Sequence, residues 1–281
     1  MQRVSTKQSD NVNIYLNEKP QLIGPETTAG EVRDLHKPDA DLMICNGFPI
    51  PAEQLLQEGD RLVLIRRGEI PPDDELEALL TARHTPGVHA KVKQATIGIA
   101  GVGGLGSAVS IALARIGIGR LIIADFDVVE PSNLNRQQFF LDQIGLPKVA
   151  ALRDNLQRIN RAVQVEPINQ RLTSENIPAL FAEADILVEC FDLPDQKAML
   201  TESWRSHYPD RPLVAASGLA GYDSSNSITT RRAGMNFYLV GDLETDARPG
   251  RGLMAPRVGI AAHHQANAVM RLILGVDPAG E

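Results

Sequence analysis

Six consecutive residues, Gly101-Val102-Gly103-Gly104-Leu105-Gly106, have the composition of a phosphate-holding loop. They follow the apolar run Thr96 to Ala100 and open a helical stretch from Leu105 to Ile116, the setting that raises a GxGxxG pattern above chance. Glycines let the backbone come close to a ligand, and the free amides and dipole at a helix start attract negative charge. Asp125 follows the next apolar run at about the distance where a carboxylate accepts hydrogen bonds from ribose hydroxyls. A glycine-rich turn with no ligand is the plain alternative and, in this setting, the minority one. These features alone fit a nicotinamide-dependent dehydrogenase equally well.

The next segment separates the two. Asp125-Phe126-Asp127-Val128-Val129-Glu130-Pro131-Ser132-Asn133-Leu134-Asn135-Arg136-Gln137-Gln138, then Gly145-Leu146-Pro147-Lys148, then Glu189-Cys190-Phe191-Asp192, follow the glycine loop in this order. The set resembles the activating enzymes of the ThiF, MoeB and ubiquitin-activating superfamily, over about residues 83–274. Within it, Arg83-His84-Thr85-Pro86-Gly87-Val88-His89 and Gly252-Leu253-Met254-Ala255-Pro256-Arg257-Val258-Gly259 are similar to a compact ThiF subgroup of thiamine biosynthesis. The resemblance implies an ATP-using nucleotidyltransferase, assisted by Mg2+, that adenylylates the terminal carboxylate of a ThiS-like sulfur-carrier protein. A MoaD-like carrier, a carrier of another sulfur pathway, and a non-catalytic nucleotide-binding regulator remain as alternatives.

By carry-over from the family pattern, the loop glycines Gly101, Gly103, Gly104 and Gly106 bind the nucleotide, Asp125 holds ribose, and Ser132, Asn133 and Asn135 shape the phosphate pocket. Arg136 binds the outgoing phosphates through its forked donors, and Lys148 adds a second positive charge. Asp192 holds magnesium, a hard cation that takes oxygen ligands and usually binds substrate phosphates as well. Both reactants are anionic, so positive charge and placement should supply most of the catalysis, with Arg136, Lys148 and Asp192 as the catalytic candidates. Taken singly, Arg136 reads as a surface ion pair, Lys148 as a solvated helix residue and Asp192 as a helix N-cap before Pro194; around one nucleotide loop their coincidence is improbable. In the wider family an arginine near the domain start reaches the partner subunit's ATP, Arg83 stands in a comparable place, and relatives are homodimers, so a homodimer is expected.

The chain departs from many relatives in lacking two CxxC pairs for zinc. Its two cysteines, Cys45 and Cys190, read as buried small hydrophobes. Ala215 to Ser227 contains no thiol. No zinc is expected, and the reaction is expected to stop at the adenylate. His84, His89, His263 and His264 have no metal-ligand spacing.

The elements that must position these residues alternate. Apolar runs at Thr96 to Ala100, Leu121 to Ala124, Val163 to Ile168, Asp185 to Cys190 and Pro212 to Ala216 are separated by helical stretches at Leu105 to Ile116, Lys148 to Ile159, Glu175 to Phe181 and Asp195 to Ser206. That rhythm predicts an α/β, Rossmann-like, mainly parallel sheet with helices on both faces, its strands apolar on both sides. Residues 83–275 form this nucleotide-binding adenylyltransferase domain. Before it, residues 12–68 alternate short strands around one helix with a capping box at Thr28 and Glu31. Asp41-Leu42-Met43-Ile44-Cys45-Asn46-Gly47 and Glu58-Gly59-Asp60-Arg61-Leu62-Val63 resemble a ThiS-type, ubiquitin-like β-grasp domain, but Arg67-Gly68-Glu69 runs on where a carrier needs a free terminus. Pro71-Pro72 marks a boundary, and residues 69–82 are read as a linker and a helix leading into the second domain. The net charge of −7 argues against nucleic acid, and no apolar run suits a membrane helix or a secretion signal, so a cytoplasmic location is expected.

Overall fold

The computed structural model describes residues 11–81 and 87–280. The chain divides into two compact units at residues 84/85. In the first, β1 (Val12–Leu16) and β2 (Lys19–Ile23) pair antiparallel across a tight turn in which Asn17 and Glu18 both adopt positive φ. The capping box forms as the sequence predicts: Thr28 Oγ1 accepts from Glu31 N at 3.2 Å, the Glu31 carboxylate accepts from Thr28 N at 2.8 Å, and α1 (Ala29–His36) follows. With β3 (Leu42–Cys45), β4 (Phe48–Pro49) and β5 (Arg61–Ile65) the sheet runs β2-β1-β5-β3-β4, and β1 lies parallel to β5. Val32 of α1 packs with Ile14, Leu62 and Leu64 of the sheet in the β-grasp arrangement. The chain beyond β5 stays with this unit. Glu69 pairs with Lys37 at 2.8 Å, and α2 (Asp73–Thr81) is tied back to the first hairpin by Asn17 to Glu75 at 2.8 Å and Lys19 to Asp74 at 2.7 Å.

The second unit contains α3 (Val88–Val92), β6 (Thr96–Ala100), α4 (Gly104–Arg115), β7 (Arg120–Ala124), α5 (Lys148–Ile159), β8 (Gln164–Ile168), α6 (Ile177–Leu180), β9 (Ile186–Glu189), α7 (Pro194–His207), β10 (Leu213–Ala216), β11 (Thr229–Gly234), β12 (Phe237–Gly241) and α8 (Ala255–Ile273). Its sheet order is β11-β12-β10-β9-β6-β7-β8, parallel throughout except for β11. β7, β9 and β10 are buried on both faces because helices cover both: Leu113, Leu152 and Val269 form the core on one side, Phe181, Leu200 and Trp204 on the other. β8 corrects the expectation of strands apolar on both sides. It is an edge strand, and Gln164 and Glu166 are exposed.

Starting at β6, the chain adds β7 and β8 on one side of the sheet, then returns to place β9 and β10 on the other. The order therefore reverses between β6 and β9, which opens a crevice beyond the carboxyl ends of the strands.

Candidate functional site

That crevice is a cleft of about 570 Å³, with Gly101 beyond β6, Asp125 beyond β7, Arg171 beyond β8, Asp192 beyond β9 and Ser217 beyond β10 on its walls. The glycines have separate jobs. Gly101 takes φ +87°, and a Cβ on it would stand 3.1 Å from the Cys190 carbonyl oxygen. A Cβ on Gly106 would collide with the Gly101 carbonyl oxygen, so Gly106 lets α4 start close against β6; it does not line the cleft. Gly103 and Gly104 do line it, and a Cβ on Gly104 would sit 3.6 Å from Arg136 Cγ. The arginine stem thus lies beside the helix start.

Asp125 ties the loop to the sheet: Oδ2 accepts from Val102 N at 2.8 Å and Oδ1 from Asp127 N at 2.9 Å. Each oxygen keeps a second lone pair for a hydroxyl donor. Residues 127–148 then loop out and return, with Val129 N bonding Leu146 O and Lys148 N bonding Asp127 O, both at 2.9 Å. This closure seats Lys148 at the first position of α5, its side chain only 7% exposed, with Nζ 2.7 Å from Asp127 Oδ2. It is not a solvated helix residue. Within the loop, Asn133 Oδ1 accepts from Glu130 N at 3.1 Å and builds a short turn. Arg136 Nη1 donates to the Ser132 carbonyl at 3.1 Å and to Asn135 Oδ1 at 2.8 Å. Ser132 and Asn135 are not on the cleft wall; they aim Arg136, which is, as is Asn133. Arg136 has no carboxylate partner among the described residues, so its remaining donors are available to a ligand.

Asp192 is exposed and lines the cleft. It is not the N-cap of α7; Leu193 takes that position with an extended backbone and no side-chain cap. The structure therefore brings Gly101, Gly103, Gly104, Asp125, Asn133, Arg136, Lys148 and Asp192 to one cleft. Arg83 lies outside the described residues.

Other residues of the cleft carry no assigned role from the sequence. Gln137 is buried, and its side-chain carbonyl oxygen has no hydrogen-bond partner among the described residues. Arg171 stacks over Phe126 at 4.4 Å and supplies a flat wall. Lys197 reaches in from α7, held by Glu189 and the Ala216 carbonyl. Burial raises the Glu189 carboxyl despite the opposing pull of Lys197. Arg257, which is 3% exposed and does not line the cleft, bonds the Asp223 and Ser224 carbonyls at 2.9 Å and Asp242 at 2.5 Å, and so ties residues 223–224 to the residue after β12. Burial alone would raise the Asp242 carboxyl, but the N–H groups of Glu244 and Thr245, the Thr245 hydroxyl and Arg257 lower it overall. The signal for Gln137 was present, since it adjoins Arg136. Arg171 lies far from the glycine loop in sequence and had none; Arg257 stands in the quoted Gly252 to Gly259 motif, which did not disclose its partners.

Both cysteines are buried thiols, as expected; burial pushes Cys45 up to about 11, with help from Asp60. His264 Nδ1 lies 3.1 Å from Thr230 Oγ1, and burial lowers its pKa. Among the described residues no helix is long and apolar enough to cross a membrane.

The ThiF family model matches residues 78–280, and the ThiS-like ubiquitin model matches residues 12–68. The chain belongs to the ThiF family. The molybdopterin-synthase adenylyltransferase of Escherichia coli K12 is 32% identical over 190 residues, which is 66% of this chain and 75% of that protein. The sulfur carrier protein ThiS adenylyltransferase of the same organism is 31% identical over 197 residues, 68% of this chain and 77% of that protein. The chain is thus a ThiF-family enzyme of the adenylyltransferase class. The structure of E. coli tRNA N6-threonylcarbamoyladenosine dehydratase, TcdA, in complex with ATP covers 74% of this chain and 98% of its own, with 20% identity and a TM-score of 0.65, and shares the fold.

Proposed function

We propose that this ThiF-family protein uses ATP to adenylylate the C-terminal carboxylate of a ThiS-like sulfur-carrier protein, in formation of the thiamine thiazole. The observation that carries the reading is the convergence of the glycine loop, Arg136, Lys148 and Asp192 on one cleft at the switch point of the sheet. A carrier carboxylate oxygen forms a bond to the α-phosphorus of ATP, the bond to the bridging oxygen breaks, and pyrophosphate leaves with that electron pair. The amides beyond Gly101 receive the phosphates, Asp125 the ribose, and the flat Phe126–Arg171 wall the base. Gln137's unpartnered carbonyl oxygen fits a ligand that donates a hydrogen bond in this cleft. Arg136 and Lys148 draw the outgoing charge. Asp192 would hold magnesium: it is an exposed carboxylate on the cleft wall, which suits a hard cation that takes one carboxylate and completes its shell with phosphate and water oxygens. Bound there, it supplies charge neutralisation for the phosphates. The enzyme acts as a homodimer in this reading.

A MoaD-like carrier is the second reading, favoured by the nearly equal identity to the molybdopterin-synthase enzyme. ATP–pyrophosphate exchange with a panel of purified carriers decides. Exchange that depends on ThiS-like carriers is expected; exchange with MoaD-like carriers alone overturns the thiamine assignment. No exchange with any carrier, together with preferential NAD binding, overturns the reading altogether.

A further inference from the structure

The end of β9 is joined to α7 by an ion pair between a fully buried carboxylate, Glu189, and the partly buried Lys197, to which the reaction above gives no part. Glu189, the last residue of β9, has no exposed surface. Its Oε1 accepts the N–H of Phe191 at 2.7 Å, and Oε2 accepts that of Ala216 at 3.4 Å. Lys197, on the first turn of α7, donates to Oε1 at 2.9 Å, to Oε2 at 3.1 Å and to the Ala216 carbonyl at 2.9 Å. From the other face of the sheet, the fully buried Gln265 of α8 donates to the Glu189 carbonyl at 2.9 Å and the Val214 carbonyl at 3.4 Å. The chain is thus pinned at residues 189 and 197, eight positions apart. Asp192 lies inside that interval.

Adhesion alone is a weak reason for such a pair. Desolvating the fully buried Glu189 carboxylate is expensive, and apolar side chains of similar volume often hold a core equally well or better. Geometry gives a stronger one. Asp192 is exposed and caps no helix, so its direction depends on the backbone of residues 191–193. The Glu189 carboxylate fixes that backbone on one side through Phe191 N, and Lys197 fixes it on the other through the first turn of α7. The same pair sets Ala216, which leads into Ser217 and Gly218 on the cleft wall. We propose that the Glu189–Lys197 pair is a positioning device that holds the Asp192 carboxylate in its working place in the cleft. The inference rests on the adenylyltransferase reading above, in which Asp192 is the magnesium residue.

The test uses the full chain and two variants. Glu189→Leu/Lys197→Met removes both charges and fills the space; Glu189→Asp keeps the charge but withdraws the carboxylate by one methylene. ATP affinity is measured by calorimetry with magnesium and with a chelator, beside thermal unfolding and carrier-dependent exchange. Affinity without magnesium should stay within about twofold of wild type, since the glycine loop and Asp125 are untouched, while the gain in affinity on adding magnesium shrinks toward none. In exchange, where magnesium is present, the turnover number should fall at least about tenfold, the scale of a misplaced reacting group, and the KM for ATP should rise toward the magnesium-free affinity. Equal loss of affinity with and without magnesium marks a purely structural pair and overturns the proposal, as does normal magnesium dependence and exchange in a folded variant. Unfolding of both variants assigns the pair to folding and overturns it too. Wild-type protein inactive with every carrier removes the functional reading and this inference with it; active wild type with unaffected variants removes the inference alone.

Discussion

Replacing Lys148 by Met separates catalysis from folding. The side chain is 7% exposed, and its partner Asp127 is 49% exposed, so the carboxylate left behind can rehydrate. Met preserves the packing of the stem, and the stability loss should be about 1 kcal/mol, near the range of partly exposed pairs. For a unit of this size that is a fall in melting temperature of about 2–4 °C. The chemistry should suffer more. A unit charge about 4 Å from a phosphate is worth roughly 4 kcal/mol at an effective dielectric near 20. Asp127 offsets part of it, which leaves about 2.7 kcal/mol, or about a hundredfold in rate. Asp127→Asn keeps the ammonium and should lose less than about tenfold. The assays are thermal unfolding and ATP–pyrophosphate exchange with the cognate carrier. Exchange in Lys148→Met within about threefold of wild type, or a melting temperature lowered enough to account for the lost activity, refutes the reasoning.

Asp192→Asn and Arg136→Ala should each lower carrier-dependent exchange at least about a hundredfold while circular dichroism and melting stay near wild type, and near-normal exchange in either folded variant removes that residue from the site. Asp242 has its folded pKa lowered, so its contribution to stability is present above the unfolded carboxylate range and is lost as pH falls through the folded value. Asp242→Asn should therefore be less stable at neutral pH, with the difference shrinking below about pH 4; a difference that is constant down to about pH 2 contradicts this. Thr28→Ala removes one half of the capping box and should destabilise the first unit by about 1 kcal/mol in chemical denaturation, and no change would show that the cap contributes nothing. Metal analysis of the purified protein should find no stoichiometric zinc, because the only two thiols are buried apart in different units; one tightly held zinc per chain refutes this.

Local rules made much of this protein legible in its residues alone. Continuous apolar runs announced β6, β7, β9 and β10, since a strand covered on both faces needs apolar residues at every position. Thr28 and Glu31 located α1, because capping acts within one helical turn. The glycine loop, Asp125 and the segment from Asp127 to Lys148 could be read because ligand contact at a helix start depends on neighbours in sequence. β11, with its exposed Arg231 and Arg232, carried no strand pattern because it is an edge, whereas α8 was missed although Val258, Ala261, Ala262, Ala266 and Val269 recur at helical spacing along its buried face; the small alanines make that stripe inconspicuous. Only tertiary structure separated Gly106, which serves close packing, from Gly103, which faces the cleft, and turned Ser132 and Asn135 into the residues that aim Arg136. It also joined Glu189 to Lys197 and Arg257 to Asp242, because burial and ion pairing depend on where strands of distant sequence finish, and sequence spacing does not record that.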